Sequence, residues 1–159
     1  MSVRAAEARD VDPLAELWWG GWHDAHADIL PAALARLRTL ESFRARLQAA
    51  LPQIRTLGPI GEPLGFHYVK GDELYQFYIA ARARGAGVAG LLMQDAEARL
   101  TAQGVTTVWL ACAIGNGRAA RFYEKSGWRL ATTETVPTET SEGPFPIEVW
   151  RYEKHLAKP

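Results

Sequence analysis

The fold of this chain is decided by the stretch Arg82-Ala83-Arg84-Gly85-Ala86-Gly87-Val88-Ala89-Gly90, a glycine-rich turn that begins with two arginines. The apolar run at residues 74–79 in front of it has the composition of a β-strand. Residues 91–103 behind it carry apolar side chains at helical spacing. A strand, a glycine turn and a helix together direct free backbone N–H groups and the positive end of the helix dipole toward an anion. The stretch therefore predicts a site for a phosphate-bearing ligand.

Two phosphate-binding motifs share these letters. The first, Gly85-x-Gly87-x-x-Gly90, matches the dinucleotide fingerprint, which needs a strand running directly into the first glycine and an acidic residue at the end of the next strand. Here residues 80–84 intervene, and the next predicted strand, 105–111, ends in Ala111-Cys112 without an Asp or Glu. A nucleotide-dependent oxidoreductase is therefore the weaker interpretation.

The second motif is Arg-x-x-Gly-x-Gly, formed by Arg82, Gly85 and Gly87. A second signal follows at Asn116-Gly117-Arg118-Ala119-Ala120-Arg121-Phe122-Tyr123-Glu124-Lys125-Ser126-Gly127-Trp128. The first motif resembles the coenzyme A pyrophosphate loop of the GCN5-related N-acetyltransferases. The second resembles their Asn-x-x-Ala-x-x-Phe-Tyr-x-x-x-Gly-Phe segment, with Trp128 in the last aromatic position. The motif region, residues 74–128, covers only the middle of the chain, and the outer parts resemble the family in layout alone.

The resemblance implies an α/β fold of the α+β type, with a single N-acetyltransferase domain over residues 1–159. The expected central sheet is mixed but mostly antiparallel, with about six to seven strands and about four flanking helices. The strands at 73–79 and 105–111 are expected to be neighbours that splay apart, with the pantetheine arm of coenzyme A in the opening.

The outer elements are predicted from periodicity and turn signals. Asp10 or Asp12 is expected to cap the first helix, and the prolines Pro144 and Pro146 favour an edge or lid position for the last strand. The predicted strands are 2–6, 53–58, 64–69, 128–133 and 147–153, and the predicted loop is 137–146. A second helix is predicted over 32–39, and residues 42–51 are predicted as its continuation or as a third helix. The arginines of the helical region, Arg36, Arg38, Arg44 and Arg46, are expected mostly on a solvated face.

The chain is electrically balanced, with 18 Lys and Arg residues against 18 Asp and Glu. No global field steers it toward nucleic acid or a membrane, so attraction for phosphate must be local, from Arg82, Arg84, Arg118 and Arg121. No apolar stretch suggests a signal peptide or a membrane span, and the single cysteine excludes an internal disulfide. We expect a cytoplasmic protein without nucleic-acid or membrane partners. A homodimer through an edge strand bearing Trp150 stays open.

The resemblance assigns the coenzyme contacts to the strand, the turn and the second motif. Arg82 and Arg84 have plain solvation as their alternative role, and Asn116 has capping of the helix that begins at Gly117. The expected coenzyme-binding residues are Phe77, Tyr78, Ile79, Arg82, Arg84, Gly85, Ala86, Gly87, Val88, Ala89, Gly90, Asn116, Ala119, Phe122 and Tyr123.

The resemblance also implies the catalytic groups. Tyr123 occupies the position at which the resembling enzymes carry their general acid. A phenol is protonated at pH 7 and can exchange a proton with a departing thiolate. Its alternative role is packing against the pantetheine arm. Glu73 is the expected base that deprotonates an ammonium substrate, with an exposed hairpin glutamate as the alternative, and His67, His26 and Glu134 are reserves.

The expected acceptor-binding residues are Trp22, His26, Tyr68, Gln76 and Trp109. Trp18, Trp19 and Trp22 suit either core packing or the wall of this pocket. His23 and His26 lack metal-ligand spacing, so we expect no metal. A lone cysteine without a visible base favours a small buried side chain for Cys112 over an acyl-enzyme.

The predicted function is transfer of acetyl from acetyl-coenzyme A, as cosubstrate, to a primary amine by direct attack in a ternary complex. The alternative is a catalytically idle acyl-coenzyme A sensor or interaction module. The acceptor stays open among free amino acids, polyamines, antibiotics, peptide N-termini and lysine side chains.

Overall fold

A computed structural model describes residues 1–157 of the chain. Its strands are β1 (Val3–Ala5), β2 (Ile54–Leu57), β3 (Gly65–Lys70), β4 (Glu73–Ile79), β5 (Thr107–Ala113), β6 (Arg129–Thr138) and β7 (Phe145–His155). Its α-helices are α1 (Val11–His26), α2 (Ala32–Leu37), α3 (Leu40–Ala50), α4 (Val88–Ala102) and α5 (Gly117–Lys125). Short 3-10 helices lie at Ala8–Asp10, Leu51–Gln53 and Ala81–Ala83.

The strands form one mixed sheet in the order β1-β2-β3-β4-β5-β7-β6. Neighbouring strands are antiparallel except for β4 and β5, which are parallel because the crossover helix α4 joins them. The α+β class and the mostly antiparallel sheet of seven strands confirm the prediction. The described residues form five α-helices rather than about four, since the chain turns at Arg38 and Thr39 and α3 is a separate helix.

The centre of the sheet is split. β4 and β5 share a single register position, Glu73 opposite Trp109, next to a hydrogen bond from the Trp109 amide to the Asp72 carbonyl at 3.2 Å. Beyond this point the two strands diverge, as the resemblance implied. The split lies directly in front of the glycine turn because β4 ends at Ile79 and α4 begins at Val88.

Helices cover both faces of the sheet. α1 and α3 bury Leu14, Trp18 and Phe43 against Phe66 of β3, with the Trp18 and Phe43 ring centroids 4.7 Å apart. A second core cluster joins α4 and α5 to β5 and β7. Full burial of such side chains is the largest favourable term in folding, at about 1.5–3 kcal/mol each.

Several predicted boundaries were wrong in the last third of the chain. β6 runs on to Thr138 and β7 begins at Phe145, so the predicted loop 137–146 shrinks to the six residues between them. Pro137 lies opposite Pro146, so both missing N–H groups fall at one position of the ladder, which can therefore continue past them. β7 is not an edge or a lid, because it pairs with β5 on one side and β6 on the other.

Asp10 precedes α1 but does not cap it with its side chain. Its fully buried carboxylate accepts hydrogen bonds from the Arg4 guanidinium at 2.8 and 3.0 Å and from the amides of Glu7 and Gly61. These bonds hold the pKa of Asp10 below its usual range although burial alone would raise it. Asp10 therefore ties the N-terminal strand to the turn after β2.

Candidate active site

The glycine turn exposes backbone donors at the start of α4. Gly85 and Gly87 have φ values of +81° and +80°, and Gly87 is the N-cap of α4 without a side-chain cap. Within residues 1–157, the amides of Gly85, Gly87 and residues 88–90 donate to no carbonyl. A Cβ at Gly85 or Gly87 would meet nothing within 4 Å, so a ligand has room to approach the backbone.

A cavity of about 680 Å³ extends from this turn into the split of the sheet, and we call it the coenzyme-side cavity. Its walls come from β4, β5, the glycine turn and the start of α5. The predicted coenzyme-binding residues that line it are Phe77, Tyr78, Ile79, Arg84, Gly85, Gly87, Val88, Ala89, Asn116, Ala119, Phe122 and Tyr123.

Three predicted coenzyme-binding residues, Arg82, Ala86 and Gly90, do not line this cavity. The Arg82 guanidinium instead donates to the Pro63 carbonyl at 3.2 Å, because the 3-10 turn at residues 81–83 directs it toward the loop before β3. Between the two arginines of the motif, Arg84 is thus the one beside the cavity.

Asp24 stands at the cavity entrance, a position that neither phosphate-binding motif predicts. Its carboxylate pairs with Arg84 at 3.5 Å and Arg118 at 3.4 Å, and all three side chains are largely exposed. Gly21, one turn earlier in α1, also lines the cavity. A Cβ there would lie 2.8 Å from the Tyr78 ring, so the glycine lets α1 pack closely against β4. Helix α1 therefore contributes to a cavity that the motifs assigned only to the chain after residue 73.

Asn116 caps α5, and it also lies where it could contact the coenzyme. Its side-chain oxygen accepts a hydrogen bond from the Ala119 amide at 3.3 Å, which caps α5, and the residue lines the coenzyme-side cavity. The cap fixes the start of α5 and so helps to position Phe122 and Tyr123 later in the helix.

Tyr123 lines the deep part of the same cavity and packs against Trp128 and Tyr152, each with ring centroids 6.1 Å away. Burial raises the pKa of Tyr123 above its ordinary value, so the phenol stays protonated at neutral pH. Cys112 lines the cavity too, but burial raises the pKa of its thiol to about 12. A protonated, buried thiol is a poor nucleophile.

A second cavity of about 740 Å³ lies between helices α1–α3 and the β6–β7 hairpin, and we call it the acceptor-side cavity. Trp22, His26, Gln76 and Trp109 line it, as does Glu73. The predicted Tyr68 does not, because its ring packs edge-on against Tyr75 at 5.1 Å. The residues that line both cavities, and so mark their junction, are His26, Tyr75, Gln76, Tyr78, Ala111 and Ala113.

The three tryptophans of α1 divide the two roles considered for them. Trp18 is a core residue at 1% exposure, Trp22 is buried and faces the acceptor-side cavity, and Trp19 is 45% exposed.

Glu73 is half-buried at the head of β4, on the acceptor side of the junction. Its pKa is raised to about 7, mainly by burial; Asp72 contributes to the rise, and Lys70 and Arg151 oppose it. A carboxylate with this pKa changes charge near neutral pH, which is the range a general base needs.

The reserve bases lie in different surroundings. His26 donates from Nδ1 to the Trp22 carbonyl at 3.0 Å, and burial lowers its pKa to about 4, so it is neutral at pH 7. His67 and Glu134 line neither cavity, since His67 pairs with Asp95 at 2.7 Å and Glu134 pairs with Arg151 at 3.4 Å.

Arg38 and Arg46 are not on a solvated face. Arg38 is 3% exposed and the Arg46 side chain 14% exposed, and both line the acceptor-side cavity. Arg38 closes the C-terminal end of α2, where hydropathy does not distinguish a buried arginine from an exposed one.

Two observations bear on metals and membranes. Among residues 1–157, no three His, Cys, Asp or Glu side chains come together in a way that could hold a metal ion. No helix of the described chain has both the length and the apolar character needed to cross a membrane.

A seven-stranded mixed sheet that is split in front of a glycine turn thus defines the fold around this site. The acetyltransferase (GNAT) family model matches residues 15–128, and the chain belongs to this family, whose members use acetyl-coenzyme A. An uncharacterised N-acetyltransferase of Mycobacterium bovis and one of Mycobacterium tuberculosis are each 35% identical to it over 71 residues. Each match covers 42% of this chain and 46% of the relative.

Solved structures share the fold over the whole chain. A GCN5-related N-acetyltransferase from Rhodopseudomonas palustris has a TM-score of 0.74 at 20% identity, covering 98% of this chain and 95% of its own. The PaiA N-acetyltransferase from Thermoplasma acidophilum, solved in complex with coenzyme A, has a TM-score of 0.68 at 18% identity, covering 97% and 98%. At these identities the likeness shows the fold alone.

Proposed function

We propose that this acetyltransferase transfers an acetyl group from acetyl-coenzyme A to a primary amine, by direct attack in a ternary complex. The observation that carries the proposal is the meeting of the two cavities at a shared set of residues, including His26, Gln76 and Ala111. A thioester that reaches this junction from one cavity meets an amine that reaches it from the other. Holding two reactants in this way contributes several kcal/mol to catalysis.

The coenzyme-side cavity suits the long, anionic cosubstrate. The free amides at the start of α4 and the helix dipole favour the diphosphate, with Arg84 and Arg118 beside it. The stacked rings of Phe77 and Phe122, with centroids 5.6 Å apart, provide an apolar wall for the pantetheine arm. The fit of backbone donors and apolar walls supports acetyl-coenzyme A as the ligand.

In the proposed reaction the amine nitrogen attacks the thioester carbonyl carbon, an N–C bond forms and the C–S bond breaks. Glu73 accepts the proton that the ammonium loses, directly or through a water molecule, because its pKa lies near 7. The departing sulfur receives a proton or a hydrogen bond from Tyr123. Where the proton is transferred, the Tyr123 phenolate takes up the proton that the attacking nitrogen loses as the amide forms, which restores the phenol. Where only a hydrogen bond is donated, that proton passes to the thiolate. A thiolate in a buried site is poorly solvated, so proton transfer from the phenol stabilises it.

Direct attack is favoured over an acyl-enzyme by the state of Cys112. Its raised pKa keeps the thiol protonated, and its sulfur lies 3.8 Å from the Asn116 carbonyl and 3.9 Å from that of Ala113, neither of which is a base.

Isothermal titration of acetyl-coenzyme A tests the first half of this proposal. We expect micromolar binding to the wild type and its loss when Gly85 and Gly87 are both changed to Val, since both have positive φ. A wild type that does not bind would overturn the proposal. Release of free thiol with a panel of amines tests the second half, and binding without any thiol release would identify an acyl-coenzyme A sensor instead.

A further inference from the structure

Arg38 is an unpaired charge inside the acceptor-side cavity. Its side chain is 3% exposed, its Nη1 donates to the backbone carbonyl of Glu139 at 2.7 Å, and its buried Nε has no hydrogen-bond partner. Within residues 1–157 it forms no ion pair with any Asp or Glu. A buried guanidinium without a carboxylate is costly, because its charge has lost water and gained no opposite charge.

Two side chains of α1 hold Arg38 in this position. His23 donates from Nε2 to the Arg38 carbonyl at 2.7 Å, and the guanidinium carbon lies 5.8 Å from the centre of the Trp22 ring. Burial and, to a lesser extent, the nearby charge of Arg46 lower the pKa of Arg38 to about 10, yet the group stays charged at pH 7. The cost of burial is thus maintained rather than removed by deprotonation.

Arg46 adds a second positive charge to the same wall. Its guanidinium lies over the Trp18 ring at 4.5 Å, donates to the Tyr75 hydroxyl at 3.4 Å and stands 3.8 Å from a Glu139 carboxylate oxygen. Glu139 is 57% exposed, so this pair is weak and screened by water. Two guanidinium groups therefore share one loosely held carboxylate, which leaves the wall with excess positive charge.

Two further charged residues, one basic and one acidic, line another part of the cavity. Lys70 and Glu73 line the end formed by the β3–β4 hairpin, and Lys70 is placed over the Tyr75 ring at 4.8 Å. The junction with the coenzyme-side cavity lies along β4 and β5. An acceptor in this cavity thus has an arginine wall, a carboxylate at Glu73 and an open way to the thioester.

We infer that the acceptor is a small primary amine that also carries a carboxylate, an amino-acid-like zwitterion whose carboxylate binds Arg38 and Arg46. This inference rests on the proposed function and names the substrate class of the same site. A carboxylate accepts two parallel hydrogen bonds from a guanidinium, so it supplies the charge and the acceptor atoms that Arg38 lacks. A hydrophobic monoamine or a polyamine would leave the arginine wall unpaired or repelled.

Matched pairs of amines test the inference on the wild-type enzyme. Thiol release from acetyl-coenzyme A is measured with ω-amino carboxylates of increasing length and with α-amino acids. Each is compared with an alkylamine of the same chain length that lacks the carboxylate. We expect kcat/KM to be roughly 10- to 100-fold higher for the carboxylate member of the best pair, as for a charge-assisted hydrogen bond. The length series separates α-amino acids from longer amino carboxylates.

The variant Arg38→Met removes the charge and keeps a long side chain. We expect it to lower kcat/KM for the carboxylate acceptor roughly 10- to 100-fold and to change that of the matched alkylamine by about threefold or less. Arg38→Lys, which keeps the charge but not the fork, should recover part of the loss. Arg36→Gln is the matched control, because Arg36 lies on the same short helix and is exposed.

Thermal unfolding without ligand separates binding from structure. Arg38→Met should unfold at the same temperature as the wild type or higher, since it removes an uncompensated buried charge. A strongly lowered melting temperature, with both acceptor classes affected alike, would assign Arg38 to holding the β6–β7 turn and overturn the inference.

The two levels of the proposal fail differently. If acetyl-coenzyme A binds and alkylamines release thiol as fast as their carboxylate partners, the inference fails and the transferase proposal survives. If acetyl-coenzyme A does not bind at all, the proposed function fails first.

Discussion

The coenzyme-side cavity and the acceptor-side cavity differ in the chemical groups that line them. The first presents the free main-chain amides of Gly85, Gly87 and residues 88–90, together with the N-terminal end of a helix and the gap between two strands. The second presents side chains from separate parts of the chain, among them Trp22, Arg38, Glu73 and Trp109. Main-chain donors bind any diphosphate in the same way, whereas side chains can be exchanged without moving the backbone.

This difference separates affinity for the cosubstrate from choice of the acceptor. A change in the backbone of the turn should affect every reaction of the enzyme equally, since every reaction needs the same cosubstrate. A change in the wall of the acceptor-side cavity should affect one acceptor class and spare another. The proposed acid, Tyr123, belongs to the first cavity and the proposed base, Glu73, to the second.

Tyr123→Phe should give the largest effect, because it removes the proton and keeps the ring that packs on Trp128 and Tyr152. We expect kcat to fall about 10²- to 10⁴-fold, as for loss of a general acid, with the Kd for acetyl-coenzyme A unchanged. Steady-state kinetics and titration calorimetry measure the two quantities. An unaltered kcat would leave Tyr123 with packing alone. Tyr123→Leu, which also removes the ring, should weaken cosubstrate binding as well.

Gly87→Val tests whether the turn acts through its backbone. The valine must adopt a φ of +80°, so we expect the turn to distort and acetyl-coenzyme A affinity to fall about 100-fold. The matched control is Gly104→Val, which places the same strain, at a φ of +85°, just beyond the other end of α4. It should lower the melting temperature by a similar amount and leave the Kd alone. Equal loss of binding in both variants would mean that stability, not the turn, is being measured.

Glu73→Gln tests the base. Glu73 is protonated below a pKa of about 7, so the wild-type kcat should rise with pH up to about that value and then level. In the glutamine variant this rise of kcat with pH, the titration step of the profile, should vanish, and kcat should be roughly 10- to 100-fold lower at pH 8. The pH profile, rather than the rate at one pH, is the measurement. A step that persists in the variant would move the base to another group.

Asp72→Asn is the matched control for that profile. It removes a neighbouring negative charge that raises the pKa of Glu73, so the step should move to lower pH without disappearing.

The raised pKa of Glu73 also makes the stability of the protein depend on pH, with a definite sign. Because the folded pKa of about 7 exceeds the ordinary value of 4.5, the free energy of unfolding should fall as pH rises between them. Glu73→Gln should remove this contribution, of about 1 kcal/mol for a half-exposed and partly screened group.

Asp24→Asn should give the smallest effect and a gain. Asp24 pairs with Arg84 and Arg118 at the cavity entrance, so its removal frees both arginines for phosphate. We expect acetyl-coenzyme A affinity to rise about two- to fivefold at low salt and the gain to disappear at high salt. Titration at two ionic strengths measures it. Asp12→Asn is the control, since Asp12 pairs with Arg44 and lines neither cavity.

The coenzyme-side cavity could largely be predicted from the sequence because most of its lining lies in one segment, residues 74–123, and the rest comes from α1. A turn such as 84–90 and a capped helix start such as Asn116 are local structures, and local chemistry determines them. The acceptor-side cavity could be predicted only in part. Arg38 and Arg46 have the same sequence surroundings as the exposed Arg36, and only the packing of α1 and the β6–β7 hairpin buries them.

The last strands show the same limit. Pro137 and Pro146 each predict a break, and a single proline in a central strand would cause one. Their placement opposite one another is a property of strand register, which depends on two distant segments at once.

Because β4 and β5 share a single register position, the sheet consists of two half-sheets that are joined at one end of these strands. Strands β1 to β4 form one half and β5, β7 and β6 the other, and few main-chain hydrogen bonds join the two halves. We expect a cosubstrate bound in the gap to contact both halves and to hold them together. Amides along β4 and β5 should therefore gain the most protection from solvent exchange when the cosubstrate binds.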